Sequence, residues 1–289
     1  MKQEFVINWH IIEACNYSCR FCFSAWAGKD RTDLIRDYDA SVALIDSIKA
    51  TFDEVLAPAW GYDSLRINFA GGEPLIYREH LLKIAAYCKQ LGISTSLITN
   101  GVYLLEKDFT LKDFDMIGVS IDSLEASRNL EIGRFRKYKG SQEVLDIDAL
   151  QDYLVREKAA RPDLEIKINT VVNAANHDED LTTFINAIGP SRWKVFKMLP
   201  VITDELNVTD EEFAAYLARH QDVSSRVVSE DNSEMTASYL MIDPSGRFYS
   251  NEGAMESKEY QYSPKILDIG MLSALKSIDF DLEKFRARY

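Results

Sequence analysis

An α/β fold, an open barrel of six β-then-α units with a C-terminal extension, is predicted by three observations. Strand-like and helix-like segments alternate through residues 1–221. The strand candidates carry apolar side chains on one face and polar or cationic ones on the other. A cysteine-rich loop and a Gly-Gly turn directly follow the first two strands, at the strand ends where such folds build their sites.

The predicted strands are Phe5–Ile12, Leu65–Phe69, Ser94–Thr99, Met116–Ile121, Glu165–Val172 and Arg192–Met198. The predicted helices are Asp39–Phe52, Glu79–Leu91, Val144–Lys158, Asp178–Ile188 and Thr209–His220. In the first helix Val42, Ile45, Ile48 and Phe52 recur at helical spacing and give one apolar face. Repeated β-then-α order implies a parallel sheet with right-handed crossovers, short of the eight units of a closed barrel. After Gln221 the pattern changes, and Tyr239–Ile242 and Arg247–Tyr249 flank Asp243-Pro-Ser-Gly246, a hairpin turn. Residues 1–221 are therefore expected to form the barrel and residues 222–289 an extension packing on it.

Of the 289 residues 46% are hydrophobic, ample for a sizeable core. No window approaches roughly 18 consecutive apolar residues, so no membrane span is expected. MKQEFVINWH runs straight into a strand pattern, which leads us to expect no targeting peptide and a reduced cytoplasmic location. A net charge of −13 argues against non-specific nucleic-acid binding, which needs a basic footprint. A small anionic ligand remains possible if the few cations converge on one pocket.

Cys15, Cys19 and Cys22 lie within Cys15-Asn-Tyr-Ser-Cys-Arg-Phe-Cys22, and the fourth cysteine, Cys88, falls in an apolar helix pattern that makes it a core residue. An odd triplet in one tight loop does not suit disulfides, and only His10 is near enough to complete a zinc set. Thiolates bind iron–sulfur clusters, and a fully ligated 4Fe–4S cluster takes four. Three cysteines would leave one iron open to bind and activate a small molecule.

Side chains alternate along a strand, so residues two apart share a face. Phe5, Ile7, Trp9 and Ile11 oppose Asn8 and His10; Leu65, Ile67 and Phe69 oppose Arg66 and Asn68. Ile166 and Ile168 oppose Lys167 and Asn169; Trp193 and Val195 oppose Arg192, Lys194 and Phe196. Helices cover the apolar face, so the polar face points into the barrel. Buried charges cost several kcal/mol each unless paired or solvated. Inward cations in an acidic chain suggest a wet anion cavity. Internal pairing with carboxylates such as Glu73 or Asp122 would also account for them, as would a one-residue slip in register.

Gly71-Gly-Glu-Pro74 follows the second strand; its glycines permit close backbone approach, and Glu73 offers a carboxylate to an ammonium group. Together with the cysteine run, and with Phe21 before the third cysteine, it resembles the radical S-adenosylmethionine superfamily. That resemblance implies a partial (β/α)6 barrel, a 4Fe–4S cluster on Cys15, Cys19 and Cys22, and S-adenosylmethionine as cofactor. It further implies that Phe21, Gly71, Gly72, Glu73, Pro74, Ser120 and Asn169 bind S-adenosylmethionine. Ser120 and Asn169 equally suit ordinary strand-end and loop hydrogen bonding.

Asn8-Trp-His10, Arg66-Ile-Asn-Phe-Ala-Gly-Gly-Glu-Pro74, Ile132-Gly-Arg134, Lys167-Ile-Asn-Thr-Val-Val-Asn173, Arg192-Trp-Lys-Val-Phe196 and Ser238-Tyr-Leu240 resemble the viperin family, in order along nearly the whole chain. The resemblance implies conversion of a ribonucleoside triphosphate to its 3′-deoxy-3′,4′-didehydro form, an antiviral chain terminator. It implies a triphosphate clamp of Arg66, Arg134, Arg192 and Lys194, with Asn8 contacting ribose or phosphate. Lys29 resembles a further phosphate-binding lysine, and Tyr239 a tyrosine near the reacting ribose that supplies a hydrogen or only packs. Arg66 stands where animal viperins have lysine, and Ala70 where they have serine. Cytidine or uridine triphosphate is the favoured substrate, a reductase, flavodoxin or ferredoxin the expected electron donor, and a monomer the expected state. A radical enzyme for a peptide or another metabolite, or a cluster protein without turnover, would be the alternatives.

Overall fold

The structure is a computed structural model and describes residues 3–22, 33–106, 109–200, 203–257 and 259–288. Its strands are β1 (Glu4–His10), β2 (Ser64–Ala70), β3 (Ser94–Thr99), β4 (Met116–Ser120), β5 (Arg136–Tyr138), β6 (Ser141–Glu143), β7 (Glu165–Val172), β8 (Arg192–Lys197), β9 (Val227–Glu230), β10 (Met241–Ile242), β11 (Arg247–Ser250) and β12 (Gln261–Lys265). Ten of them form one sheet in the order β12-β11-β10-β1-β2-β3-β4-β7-β8-β9, and β5 pairs with β6 apart from it. From β10 to β9 every neighbouring pair is parallel; β11 and β12 join antiparallel.

The six predicted strands are present within two residues at each end. Phe5, Ile7, Trp9, Ile67, Phe69, Ile168, Trp193 and Val195 are buried under the helices. Each such side chain contributes roughly 1.5–3 kcal/mol by leaving water. The opposite face keeps the register read from the sequence: Asn8 stands opposite Asn68, Asn68 opposite Ser96, Lys167 opposite Arg192, and Asn169 opposite Lys194.

Helix Tyr38–Thr51 starts where the Asp37 carboxylate accepts from Ala40 N, and it buries Leu44, Ile45 and Ile48. Helix Ile147–Ala160 is capped the same way by Asp146, and helix Asp210–Arg219 by a capping box of Thr209 and Glu212. Cys88 is buried in helix Arg78–Gln90, as expected. The helix predicted from Asp178 begins at Thr182. Before it, the Asn173 and Asn176 side chains accept from Ala175 N (3.0 Å) and Asn173 N (2.8 Å), so local side-chain bonds hold this stretch in turns.

Helix Ala126–Ile132, the β5–β6 hairpin and β9 were not predicted. Each is short, and none buries a long periodic face. The segment after Gln221 supplies β9, which pairs with β8, and β10, which pairs with β1. The predicted hairpin turn forms between β10 and β11, where Asp243 accepts from Ser245 N and Arg247 N. Among the described residues no helix is long and apolar enough to cross a membrane.

Candidate active site

The cysteine loop leaves the end of β1 and is held from two sides. On one side Ile11 N donates to Ala70 O (2.9 Å), Gly72 N to Ile12 O (2.8 Å) and Glu73 N to Ala14 O (3.0 Å). A Cβ on Gly72 would lie 2.3 Å from Ala14 O and 2.4 Å from Glu13 O, and one on Gly71 2.5 Å from Ile12 O. The two glycines thus let the turn press against the cysteine loop itself. On the other side Ser18 N donates to Gly133 O (3.2 Å) and Arg20 N to Ile132 O (2.9 Å). Gly133, with φ +90°, ends helix Ala126–Ile132, and a Cβ there would meet Ser18 O at 2.3 Å.

Cys15 is exposed, and Cys19 and Cys22 are half-buried. Tyr17 N donates to Cys15 Sγ at 3.4 Å, and Cys22 N to Cys19 O at 3.1 Å. Burial pushes the bare thiols of Cys15 and Cys19 up to about 11 and about 12, with the Arg134 cation opposing it. Thiolates are the ligand form, so metal binding here must release protons. Among the described residues no three His, Cys, Asp or Glu side chains converge on a single ion. Three soft sulfur donors spread along one loop fit a cluster, where each thiolate takes its own iron.

Glu73 is fully buried. Its carboxylate accepts from Leu75 N (3.1 Å), Thr99 Oγ1 (2.8 Å) and Asn100 N (2.8 Å), joining the ends of β2 and β3. Burial raises its pKa to about 7 against those three bonds. Pro74 opens the 3₁₀ turn that follows. Asn169 lies at 8% exposure, and its Oδ1 has no partner among the described residues. Such an orphaned acceptor fits a hydroxyl-bearing cofactor. Ser120, half-exposed, ends β4, and Phe21 is half-buried beside the third cysteine.

The inward cations gather deeper along the strands. Lys167 and Arg192 stand opposite each other on β7 and β8, and neither has a hydrogen-bond or ion-pair partner among the described residues. Burial, then Lys194, Arg66 and Arg192, hold the Lys167 pKa well below the usual lysine range. Arg66 Nη1 lies 3.1 Å from Glu4, while its buried Nε lacks a partner among the described residues. Asn8 accepts from Asn68 Nδ2 (2.7 Å), and Asn68 in turn accepts from Ser96 Oγ (2.7 Å). Asn8 Nδ2 donates to Leu240 O at 3.3 Å.

Lys194 Nζ reaches Glu230 Oε1 at 2.5 Å and Tyr239 Oη at 3.1 Å. Glu230 also binds Tyr239 and Arg288, and the Arg288 guanidinium lies 4.0 Å from the centre of the Tyr239 ring. Burial lowers the Lys194 pKa to about 8, although Glu230 opposes the shift.

Arg66, Arg192 and Lys194 therefore gather around Lys167, Tyr239 meets Lys194, and Asn8 joins Asn68 on the same strand face. Arg134 does not join them. Its Nη1 pairs with Asp122 (2.9 Å), its Nη2 donates to Ser120 O (2.5 Å), and it covers the Tyr17 ring at 5.6 Å. The carboxylate pairing weighed from sequence for the inward strand cations holds for Arg66, with Glu4, and for Lys194, with Glu230; Arg134 pairs with Asp122 in the same way. Lys29 lies outside the described residues. Lys167, Glu230 and Arg288 were not among the site residues read from sequence. Alternation had put Lys167 on the inner face and could have found it; Glu230 and Arg288 gave no such signal.

A model of the radical S-adenosylmethionine superfamily matches residues 9–147. The chain is 37% identical over its whole length to the S-adenosylmethionine-dependent nucleotide dehydratase of Psychrobacter lutiphocae, covering 95% of that protein. It is 39% identical to that of Pseudoalteromonas ulvae, over 99% of this chain and 93% of that one. A fish relative of the same description, from Oncorhynchus mykiss, is 31% identical over 98% of this chain and 78% of its own. In fold it is similar to Streptococcus suis SuiB bound to S-adenosylmethionine, with TM-score 0.65 and 17% identity, over 99% of this chain and 68% of that one. A second SuiB structure, bound to the precursor peptide SuiA, matches with TM-score 0.61, 16% identity and 99% of this chain; there the chain spans 66%, just under two thirds, of SuiB. The chain belongs to the radical S-adenosylmethionine superfamily and, within it, to the S-adenosylmethionine-dependent nucleotide dehydratases.

Proposed function

We propose that this chain removes water from the ribose of a ribonucleoside triphosphate, giving its 3′-deoxy-3′,4′-didehydro form, with cytidine or uridine triphosphate preferred. The observation that carries this reading is the row of inward cations beneath a cysteine loop, with Lys194 buried and Arg66, Lys167 and Arg192 half-buried. Lys167 and Arg192 face each other as like charges, an arrangement that costs stability unless an anion fills the space.

Its cofactors are a 4Fe–4S cluster and S-adenosylmethionine, which together supply, when bound, a carbon radical able to take a hydrogen atom from the substrate. In our reading Cys15, Cys19 and Cys22 hold the cluster. Phe21, Gly71, Gly72, Glu73, Pro74, Ser120 and Asn169 surround S-adenosylmethionine. The orphaned Asn169 Oδ1 supports that assignment.

Arg66, Arg192, Lys194 and Lys167 clamp the triphosphate through charge-assisted bonds, the strong class of polar contact. The cations sit along the strands and the cysteine loop beyond their ends, so phosphates bound deep would turn the ribose toward the loop. The nucleotide loses a hydrogen from C4′ and the hydroxyl from C3′. A proton from the donors around Lys194 and one electron from a reductase, flavodoxin or ferredoxin complete the water and the double bond. Arg134 keeps the cysteine loop in place beside this site, through Asp122 and Tyr17.

The test is anaerobic turnover of the cluster-loaded chain with each of the four common ribonucleoside triphosphates in turn. A triphosphate should accelerate 5′-deoxyadenosine formation and yield a dehydrated nucleotide. If 5′-deoxyadenosine forms equally fast with every triphosphate and with none, the reading is wrong.

A further inference from the structure

We propose that Glu230 is a positioning residue of this site, holding the Tyr239 hydroxyl and the Lys194 ammonium in one fixed arrangement, with Arg288 as its second counter-cation. The inference deepens the function proposed above and rests on it.

Glu230 ends β9, opposite Phe196 in register, and is 3% exposed. A carboxylate so buried is costly unless its oxygens are satisfied. Here both are. Oε1 accepts from Lys194 Nζ at 2.5 Å; Oε2 accepts from the Tyr239 hydroxyl and pairs with Arg288. Lys194 and Arg288 outweigh burial and hold the Glu230 pKa below the usual carboxylate range.

Hydrogen-bond accounting fixes the phenol. A tyrosine hydroxyl has one proton to give and two lone pairs to receive with. Tyr239 Oη accepts from Lys194 Nζ (3.1 Å) and from Arg288 Nη1 (2.5 Å), and gives its proton to Glu230. Arg288 is anchored in turn, its Nη2 donating to Ser238 Oγ (2.8 Å) and Glu234 O (2.6 Å). The carboxylate thus sets where the phenol proton points and where the ammonium sits. It does so as a negative charge inside a cavity built for an anion, so it does not serve affinity. Its place at the junction of Lys194 and Tyr239 serves geometry.

The experiment compares the cluster-loaded full chain with Glu230→Gln, a substitution that keeps size and removes charge. CTP affinity, turnover, and dehydrated nucleotide formed per 5′-deoxyadenosine are measured anaerobically, with iron content confirming assembly. CTP binding should be unchanged or tighter. Turnover should fall about 100-fold, and the product ratio should drop, as small misplacements of reacting groups demand. A merely structural role would lower iron content, affinity and turnover together, and that result overturns the proposal. So does a variant with wild-type turnover and product ratio.

Tyr239→Phe gives a second arm that does not require the carboxylate to be altered. It should lower the product ratio with CTP affinity kept, and adding Glu230→Gln should lower the ratio little further, since both act as one unit. A Tyr239→Phe protein with wild-type product ratio would overturn the assignment even if Glu230→Gln alone fails to fold, and additive losses would overturn it where both fold. A wild-type chain indifferent to every nucleotide would instead sink the function proposed above, and this role with it.

Discussion

Replacing Gly72 by alanine tests whether the Gly-Gly turn exists to seat the cysteine loop. Gly72 does not occupy the left-handed region, so an added methyl brings no backbone penalty of that kind. Its whole effect is steric. The new Cβ would fall 2.3 Å from Ala14 O and 2.4 Å from Glu13 O, where ordinary contact begins at 3.4 Å. Restoring contact requires the loop backbone to retreat by about 1 Å, 3.4 minus 2.3. Both obstacles are backbone carbonyls, so no side-chain rotation can absorb the movement. The retreat also stretches the bonds from Gly72 N to Ile12 O and from Glu73 N to Ala14 O, which fix Ile12 and Ala14 in the run leading into Cys15.

Overpacking of this kind costs about 1–3 kcal/mol. The expected outcome for Gly72→Ala is a melting temperature lower by a few degrees and a large loss of bound iron after anaerobic reconstitution. Gly189→Ala is the control. It has φ +59° and open space around its Cβ, so it carries strain of about 1 kcal/mol with no contact to the loop. It should lower the melting temperature comparably and leave iron content unchanged. A Gly72→Ala protein that takes up full iron would refute the seating argument, because the loop would then tolerate the displacement.

The other predictions concern the cations. Lys167→Met should weaken triphosphate binding by about tenfold or more, one charge-assisted bond being worth about 1.5–3 kcal/mol, and should stabilise the chain without nucleotide; titration and chemical denaturation read both. The Lys167 pKa is lowered on folding, so between its folded value and 10.5 the unfolded chain holds a proton that the folded chain has released, and stability rises with pH in that window. The advantage of Lys167→Met should therefore shrink by about 1.4 kcal/mol per pH unit as pH approaches 10.5, and a constant difference would contradict the burial of a lysine there. Arg134→Met leaves Asp122 buried and unpaired, so denaturation should show a loss of about 3–5 kcal/mol; a variant of wild-type stability that only binds nucleotide less well would return Arg134 to the clamp.

Much of the architecture was legible because long strands with alternating faces carry their own register. Once Ile166 and Ile168 are recognised as covered by helices, Lys167 and Asn169 must face inward, and the structure keeps that phase across β7 and β8. The cysteine spacing and Gly71-Gly72 were legible because they are contiguous in sequence. What was hidden depends on partners far apart in the chain. Glu230 lies in a four-residue strand, too short to show a period, and meets Lys194 across 36 residues. Arg288 reaches Tyr239 across 49 residues. Arg134 was assigned by residue type through the family pattern, and its partner Asp122, 12 residues earlier, is a contact that no periodicity in the sequence announces.

Pairing, more than position, separates the roles of the cations in this acidic chain. Arg134 is matched by Asp122 at 2.9 Å and is complete without a ligand, so its charge is spent on structure. Lys167 and Arg192 are directly opposed and unmatched among the described residues, so the folded chain bears their repulsion. Lys194 lies between these cases, because Glu230 satisfies it while also restraining Tyr239 and Arg288. An incoming triphosphate would relieve the first repulsion and compete with Glu230 for the Lys194 ammonium. Affinity and geometry would then reside in different residues: Lys167 and Arg192 should govern binding, and Glu230 and Tyr239 how often a radical event ends in product. If Lys167→Met and Glu230→Gln lost affinity and coupling in the same proportion, that division would fail, and the cavity would act as one undivided electrostatic unit.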